Sequence, residues 1–316
     1  MLKEVQLSKT YGVKQALCGV SFELDAGELV GLIGQNGAGK STLLRILAGR
    51  LAPSRGQALV RGHDVLWEPE AARQHVGYLP EKPALYDEMT VRAQLEFACA
   101  LRQVDSADAG PHIAELAERT GIGDVLGRRV GNLSKGYRQR VGLAVALTGN
   151  PEIVLLDEPT NGLDPVQIQE FRALVASLAK ERLVILSTHI LRDLDGFCTR
   201  ALMLHEGRLI RDLHVREEEQ AVRVLRANMA LGRDAAAALL KALPSVERFE
   251  FVQSASPGIT AALLTCGREA PVERALFHAL AQADAPLLAL YPVRSELEEL
   301  FLQTVSGDRA KGNAKD

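Results

Sequence analysis

Nine consecutive residues, Gly34-Gln35-Asn36-Gly37-Ala38-Gly39-Lys40-Ser41-Thr42, carry the densest chemistry in the chain. They fit a pattern of Gly, four residues, then Gly-Lys-Ser. Glycines let a backbone wrap closely around an anion with its N–H groups pointing inward. Read this way, Gly34, Asn36, Gly37, Ala38, Gly39, Lys40, Ser41 and Thr42 bind the phosphates of a nucleotide. The Lys40 ammonium reaches the β- and γ-phosphates, and the Ser41 hydroxyl ligates Mg²⁺. A helix beginning at the loop turns its positive end toward the same anion. A chance glycine turn is the rival reading. The setting opposes it, because the motif lies between the apolar run Leu29–Ile33 and a helix-like stretch over residues 41–48.

A second apolar run, residues 153–156, ends in Asp157-Glu158. A strand that is apolar inside and ends in carboxylates delivers charge to the C-terminal edge of a sheet. In open α/β sheets that edge is where ligands bind. Asp157 is expected to hold Mg²⁺ through water, and Glu158 to position or deprotonate an attacking water. An exposed acidic turn is the alternative. A third apolar run, residues 183–186, leads into Ser187-Thr188-His189. It brings His189 to the same edge, in reach of the γ-phosphate and the water. A lone histidine more often serves structure, so its position is what raises it.

These residues need a scaffold, and the pattern around them supplies one. Strand-like runs at residues 3–7, 20–24, 29–33, 153–156 and 183–186 alternate with helix-like stretches, one of them at 165–180. That alternation predicts an α/β fold with a parallel, doubly wound sheet. Residues 84–150 read as mostly helical, a helical subdomain. Composition shifts near Val215, where residues 216–220 form a charged connector. Beyond it come strand 221–227, helix 234–243, strand 246–253, strand 258–266, helix 271–283 and strand 286–291. The order β-α-β-β-α-β predicts a small α+β ferredoxin-like domain. A last helix starts at Ser295, with Glu298 completing a capping box and Leu297, Leu300, Phe301 and Val305 forming one stripe. The expected domains are therefore 1–215, 218–305 and a polar tail, 306–316.

Bulk properties narrow the partners. Of 316 residues, 47% are hydrophobic and 24% charged, which suits a folded globular chain. The net charge of -3 argues against a broad basic surface, so no nucleic-acid partner is expected. Cys18, Cys99, Cys198 and Cys266 are too far apart for a metal knuckle or redox motif. The N-terminus has no apolar signal region, and no run of about eighteen apolar residues exists. The expectation is a soluble chain that docks onto a separate protein if it serves a membrane process.

Between the phosphate loop and the acidic strand lies Leu133-Ser134-Lys135-Gly136-Tyr137-Arg138-Gln139-Arg140. Together with the phosphate loop, Asp157-Glu158, Gly162-Leu163-Asp164 and His189, it resembles the ABC ATPase family in order and spacing across residues 1–210. The resemblance implies that Tyr11 stacks on adenine. It implies that Ser134, Lys135, Gly136 and Gln139 form the signature that caps ATP held by the opposite subunit. Asp164 then links the two sites across a dimer. The sequence departs from the family twice. Lys135 stands where a second glycine is usual, and Glu81 stands where a glutamine ligates Mg²⁺. Both departures, and the ending at residues 295–301, resemble the branch of drug-resistance, gliding-motility and copper-site-maturation (type-2) exporters.

The resemblance further implies an ATP-hydrolysing subunit with Mg²⁺ as cofactor. Its partners are a second ATPase subunit, in a homodimer, and a separate multi-span permease for export. It is placed in the cytoplasm, peripheral on the inner face of the cell membrane. A soluble non-transport ABC ATPase is the alternative. Translation-type members usually carry two ATPase units, and this chain has one phosphate loop. DNA-repair types need long heptads between loop and signature, and none occur here. A binding module without turnover is opposed by the presence of Lys40, Asp157, Glu158 and His189.

Overall fold

The computed structural model describes residues 1–189, 197–214, 222–254, 258–267 and 270–292. The charged connector at 216–220, the helix expected from Ser295 and the tail 306–316 lie outside the described residues. The chain divides after His214 into two compact units.

The first unit holds two sheets. One is antiparallel, in the order β2 (Lys14–Leu24), β1 (Leu2–Tyr11), β4 (Arg55–Val60), β5 (His63–Asp64). The other runs β10 (Arg208–His214), β9 (Arg200–His205), β3 (Leu29–Ile33), β8 (Leu183–Thr188), β7 (Ile153–Asp157), β6 (Val76–Leu79). Its strands are parallel except β10, which pairs antiparallel at the edge. Strands β3, β7 and β8 are buried at every position, which explains their unbroken apolar sequences.

Helix α1 (Lys40–Leu47) follows the phosphate loop and buries Leu43, Leu44, Ile46 and Leu47 in the main core. Each such side chain contributes about 1.5–3 kcal/mol when removed from water. After the short α2 (Pro69–Gln74) come α3 (Val91–Leu101), α4 (Ser106–Thr120) and α5 (Lys135–Leu147), the helical region expected at 84–150. Their N-caps are legible as chemistry: Thr90, Asp105 and Ser134 each accept a hydrogen bond from a first-turn N–H. Helix α6 (Pro165–Ala179) is capped by Asp164, with Pro165 at its first position.

Five strands were not apparent from the sequence: β4, β5, β6, β9 and β10. Strand β6 has only four residues. Strand β9 starts with Arg200, a residue type that is almost never fully buried unless paired. Arg200 is nevertheless buried, because Asp212 (2.8 Å) and Glu28 (3.1 Å) pair with its guanidinium. Those partners hold its proton even more firmly than usual, with the Asp212 hydrogen bond the main cause. Such pairing is invisible to hydrophobic periodicity.

The second unit runs β11 (Val222–Met229), α7 (Arg233–Lys241), β12 (Arg248–Val252), β13 (Thr260–Gly267), α8 (Val272–Gln282), β14 (Leu287–Pro292). Its sheet order is β12-β13-β11-β14, and every pairing is antiparallel. This is the ferredoxin-like split βαβ arrangement. One core joins Leu225, Ala227, Met229, Ala262 and Leu264 of the sheet to Ala236, Leu240, Leu276 and Leu280 of the helices. No described helix is long and apolar enough to cross a membrane.

Candidate functional site

Parallel register builds the site. Ile33 pairs with Thr188, and Leu32 and Asp157 both pair with Ser187. Three strands therefore end together, and each releases its chemistry at one edge: the Gly34 loop from β3, Asp157-Glu158 from β7, and Ser187 to His189 from β8. The loop reaches α1 through Gly39 at φ 107°. A Cβ there would also lie 2.6 Å from the Ala16 carbonyl oxygen on β2, so only glycine fits on both counts.

A cavity of about 390 Å³ opens over this edge. Asn36, Gly37, Gly39, Lys40, Ser41 and Thr42 line it, with Tyr11, Glu81, Glu158 and His189 around them. Gly34 contributes its carbonyl oxygen, which accepts from Lys40 Nζ at 2.7 Å. Ala38 is buried behind the loop, its N–H bonded to the Gln35 carbonyl.

Lys40 is 6% exposed and pairs with Glu158 Oε1 at 3.3 Å. The other Glu158 oxygen lies 2.8 Å from His189 Nδ1. A carboxylate only accepts, so Nδ1 donates in this contact. Glu158 itself sits at φ 47°, a conformation that non-glycine residues seldom adopt. Its N–H donates to Ser187 Oγ at 2.9 Å, which fixes the turn to β8.

Asp157 lies beneath, 2% exposed. Its Oδ1 accepts from Ser41 Oγ (2.9 Å) and Ser187 Oγ (2.8 Å), and its Oδ2 from the Tyr78 hydroxyl (3.4 Å). Burial and the neighbouring Asp157 charge raise the Tyr78 pKa, so the phenol stays a donor. Ser41, Asp157 and Glu81 offer only oxygen donors. That set suits Mg²⁺, which keeps waters and phosphate oxygens in its shell rather than an all-protein cage. Among the described residues no cluster of three or more His, Cys, Asp or Glu is arranged to hold a metal.

Tyr11 is 46% exposed at the rim, with Lys9 Nζ 5.3 Å from its ring centroid. Lys14, Ala16 and Asn161 also line the cavity, and sequence reasoning missed all three. Lys14 and Ala16 arrive from the antiparallel sheet, and nothing local in the sequence signals that approach. Asn161 lay inside the stretch between two recognised motifs and could have been found there.

The structure does not bring the signature to this cavity. Ser134, Lys135, Gly136 and Gln139 belong to the N-terminal turns of α5, and none of them lines it. Ser134 caps α5, accepting from Tyr137 N–H at 3.4 Å, and Gln139 is buried. Asp164 caps α6, accepting from Gln167 N–H at 2.9 Å.

A phosphate loop, a buried aspartate beside its serine and a glutamate at the next residue define a phosphate-loop ATPase. Comparison with known proteins makes this specific. A family model described as ABC transporter matches residues 17–161. The ABC transporter ATP-binding protein NatA of Bacillus subtilis (strain 168) is 39% identical over 200 residues, 63% of this chain and 81% of that protein. The bacitracin transport ATP-binding protein BcrA of Bacillus licheniformis is 34% identical over 215 residues, covering 67% of this chain and 69% of the relative. A solved structure of an ATP-binding subunit of an ABC transporter superposes with a TM-score of 0.62 at 32% identity, covering 68% of this chain and 90% of that one. The chain belongs to the ABC transporter family as an ATP-binding subunit, and it is an ATPase.

Proposed function

We propose that this chain hydrolyses Mg²⁺-bound ATP at sites shared between two copies and thereby drives a separate multi-span permease in export. The observation that carries the reading is the chain of contacts Lys40–Glu158–His189 beside Ser41–Asp157, all at one sheet edge. Lys40 takes β- and γ-phosphate charge. Glu158 orients the attacking water, and His189 presents Nε2 toward the γ-phosphate. Tyr11 stacks on adenine. Ser41, Asp157 and Glu81 hold Mg²⁺, which when bound neutralises phosphate charge. Little covalent chemistry is asked of the protein, so catalysis is positioning plus charge stabilisation.

The position of the signature supports a composite site. Ser134 and Gly136 stand at the N-terminus of a thirteen-residue helix, a setting that binds anions, yet they lie outside their own chain's cavity. A second copy supplies the missing half, with Asp164 linking the two sites. Tyr86, Phe97 and Leu101 are exposed apolar residues in and before α3, with Tyr86 and Phe97 edge to face at 5.7 Å. Together with the Glu81 loop they form the surface offered to the permease. On this reading the chain works in the cytoplasm, peripheral on the inner face of the membrane. Export as the direction follows the resemblance to the exporter branch; the bacitracin relative is named for transport alone. The domains proposed are the ATPase at 1–215, a regulatory or dimerisation domain at 218–305 and a tail at 306–316.

Glu158→Gln tests the chemistry. It should keep ATP binding, lower turnover by two or more orders of magnitude and accumulate an ATP-locked dimer, on the order of other losses of a catalytic group. Hydrolysis at the parental rate would refute the role of Glu158. Lys40→Ala should abolish ATP binding by calorimetry with the fold intact.

A further inference from the structure

The two departures from the family pattern, Lys135 and Glu81, converge on one short turn. That turn runs from Glu158 to Asp164 and is closed by Asn161 N–H to the Glu158 carbonyl (3.1 Å) and Leu163 N–H to the Thr160 carbonyl (3.2 Å). Glu81 touches it from one side, its Oε1 accepting from Asn161 Nδ2 at 3.2 Å. Lys135 touches it at the next residue. Its ammonium nitrogen lies 2.1 Å from where a Cβ on Gly162 would stand, and its Cε lies 3.2 Å from that point. Gly162 has φ +70°, so the turn leaves a side-chain-free notch that the lysine fills.

The rest of the α5 N-terminus follows the same path. A Cβ on Gly136 would lie 2.9 Å from Gln167 Oε1, so the helix backbone sits flush against the first turn of α6. One turn on, Arg140 donates to Glu170 at 2.5 Å. Lys135 on Gly162, Gly136 on Gln167 and Arg140 on Glu170 make a continuous seam. The signature helix thus meets the Glu158–Asp164 turn through Lys135 and is fastened to α6, which follows that turn, through Gly136 and Arg140.

We propose that Lys135 is a positioning residue for hydrolysis: it locks the Glu158–Asp164 turn to the signature helix of its own chain, opposite the hold of Glu81 on Asn161. A lysine in place of the usual glycine therefore does not read the partner's nucleotide. It makes the water-orienting carboxylate move with the helix that meets the other subunit's ATP. The contacts are exposed, so the expected effect is moderate. This rests on the proposed role of Glu158.

Steady-state kinetics of Lys135→Met should show kcat lowered by roughly five- to tenfold, with the KM for ATP within about twofold of the parent. Lys135→Arg, which keeps charge and length, should restore most of kcat. Gly162→Ala places a methyl in the notch and should lower kcat as Lys135→Met does. The double variant should be no slower than the slower single one, because both remove the same contact. Combined with Glu158→Gln, Lys135→Met should leave the ATP-locked dimer intact by light scattering. A parental kcat for Lys135→Met, a raised KM, or loss of the locked dimer would each overturn the proposal, the last two by showing that Lys135 binds the partner's nucleotide. Should Glu158→Gln alone hydrolyse ATP normally, the Glu158 reading falls instead, whatever Lys135→Met does. If Gly162→Ala fails to fold, the Lys135 pair of variants still decides.

Discussion

The two units of the chain handle polar residues in opposite ways. Among the described residues, every polar or charged residue classed as buried lies in the first unit. Several of these (Lys40, Asp157, Ser187 and Thr188) gather at the edge where β3, β7 and β8 end. Burying such groups is costly unless they are paired, and here Lys40 pairs with Glu158 while Asp157 accepts from Ser41 and Ser187. In the second unit no described charged residue is fully buried, although Arg223 and Arg226 are half-buried. Its clearest ion pair, Arg223 to Glu273 at 2.7 and 2.8 Å, ties β11 to α8 and lowers the Glu273 pKa. Buried polarity marks the half that does chemistry. The other half is built around an apolar core.

That contrast is sharpest at the signature, which belongs to the chemical unit but lies outside its cavity. Ser134→Arg places bulk and charge where a partner's phosphate should dock. Each monomer should still bind ATP, while hydrolysis falls about 10²–10³-fold, the usual cost of a lost transition-state anion contact. ATP-dependent dimerisation by light scattering should vanish with it. Normal dimerisation would mean that the first unit's site is complete within one chain.

A smaller effect is expected from removing the second unit. Deleting residues 218–316 should leave the ATP Kd within about twofold, because no cavity-lining residue is lost. Dimer stability, or transport with the permease, should change several-fold. If the shortened chain dimerises, hydrolyses and transports like the full one, the second unit is an accessory rather than a regulatory domain.

Much of the chemical unit was legible because its chemistry sits at strand ends. Apolar runs ending in Gly34, Asp157-Glu158 and His189 announce both the sheet and its active edge. What stayed hidden depends on chain segments meeting from far apart. Lys14 and Ala16 reach the cavity from a different sheet. The Tyr78 hydroxyl meets Asp157 only because β6 pairs with β7. The direction of the Lys135 side chain follows from a glycine 27 positions away, at Gly162. The second unit read well element by element, since short amphipathic helices and alternating strands each show their period. Its use did not, because no described residue there gathers into a site.

Buried polarity in the first unit extends beyond the nucleotide edge, and Glu4 is the buried carboxylate there that lacks a partner among the described residues. Glu4, on β1 opposite Phe22 and Ala58, is 2% exposed, and neither carboxylate oxygen has a partner among the described residues. Burial raises its pKa well above the ordinary carboxylate value. The folded state therefore holds a proton that the unfolded chain, titrating near pH ~4.3, gives up. Stability tied to Glu4 is fully present below that pH. It is lost as pH rises from there through the raised folded value, and the loss levels off above it. Glu4→Leu removes both unpaired oxygens and suits the apolar neighbours. It should stabilise the first unit by about 1–3 kcal/mol at pH 8 and by less near pH 5, flattening the slope between them. Urea unfolding at the two pH values measures this. A variant that is less stable at pH 8, or whose pH slope is unchanged, would show that Glu4 is balanced by an interaction of its own.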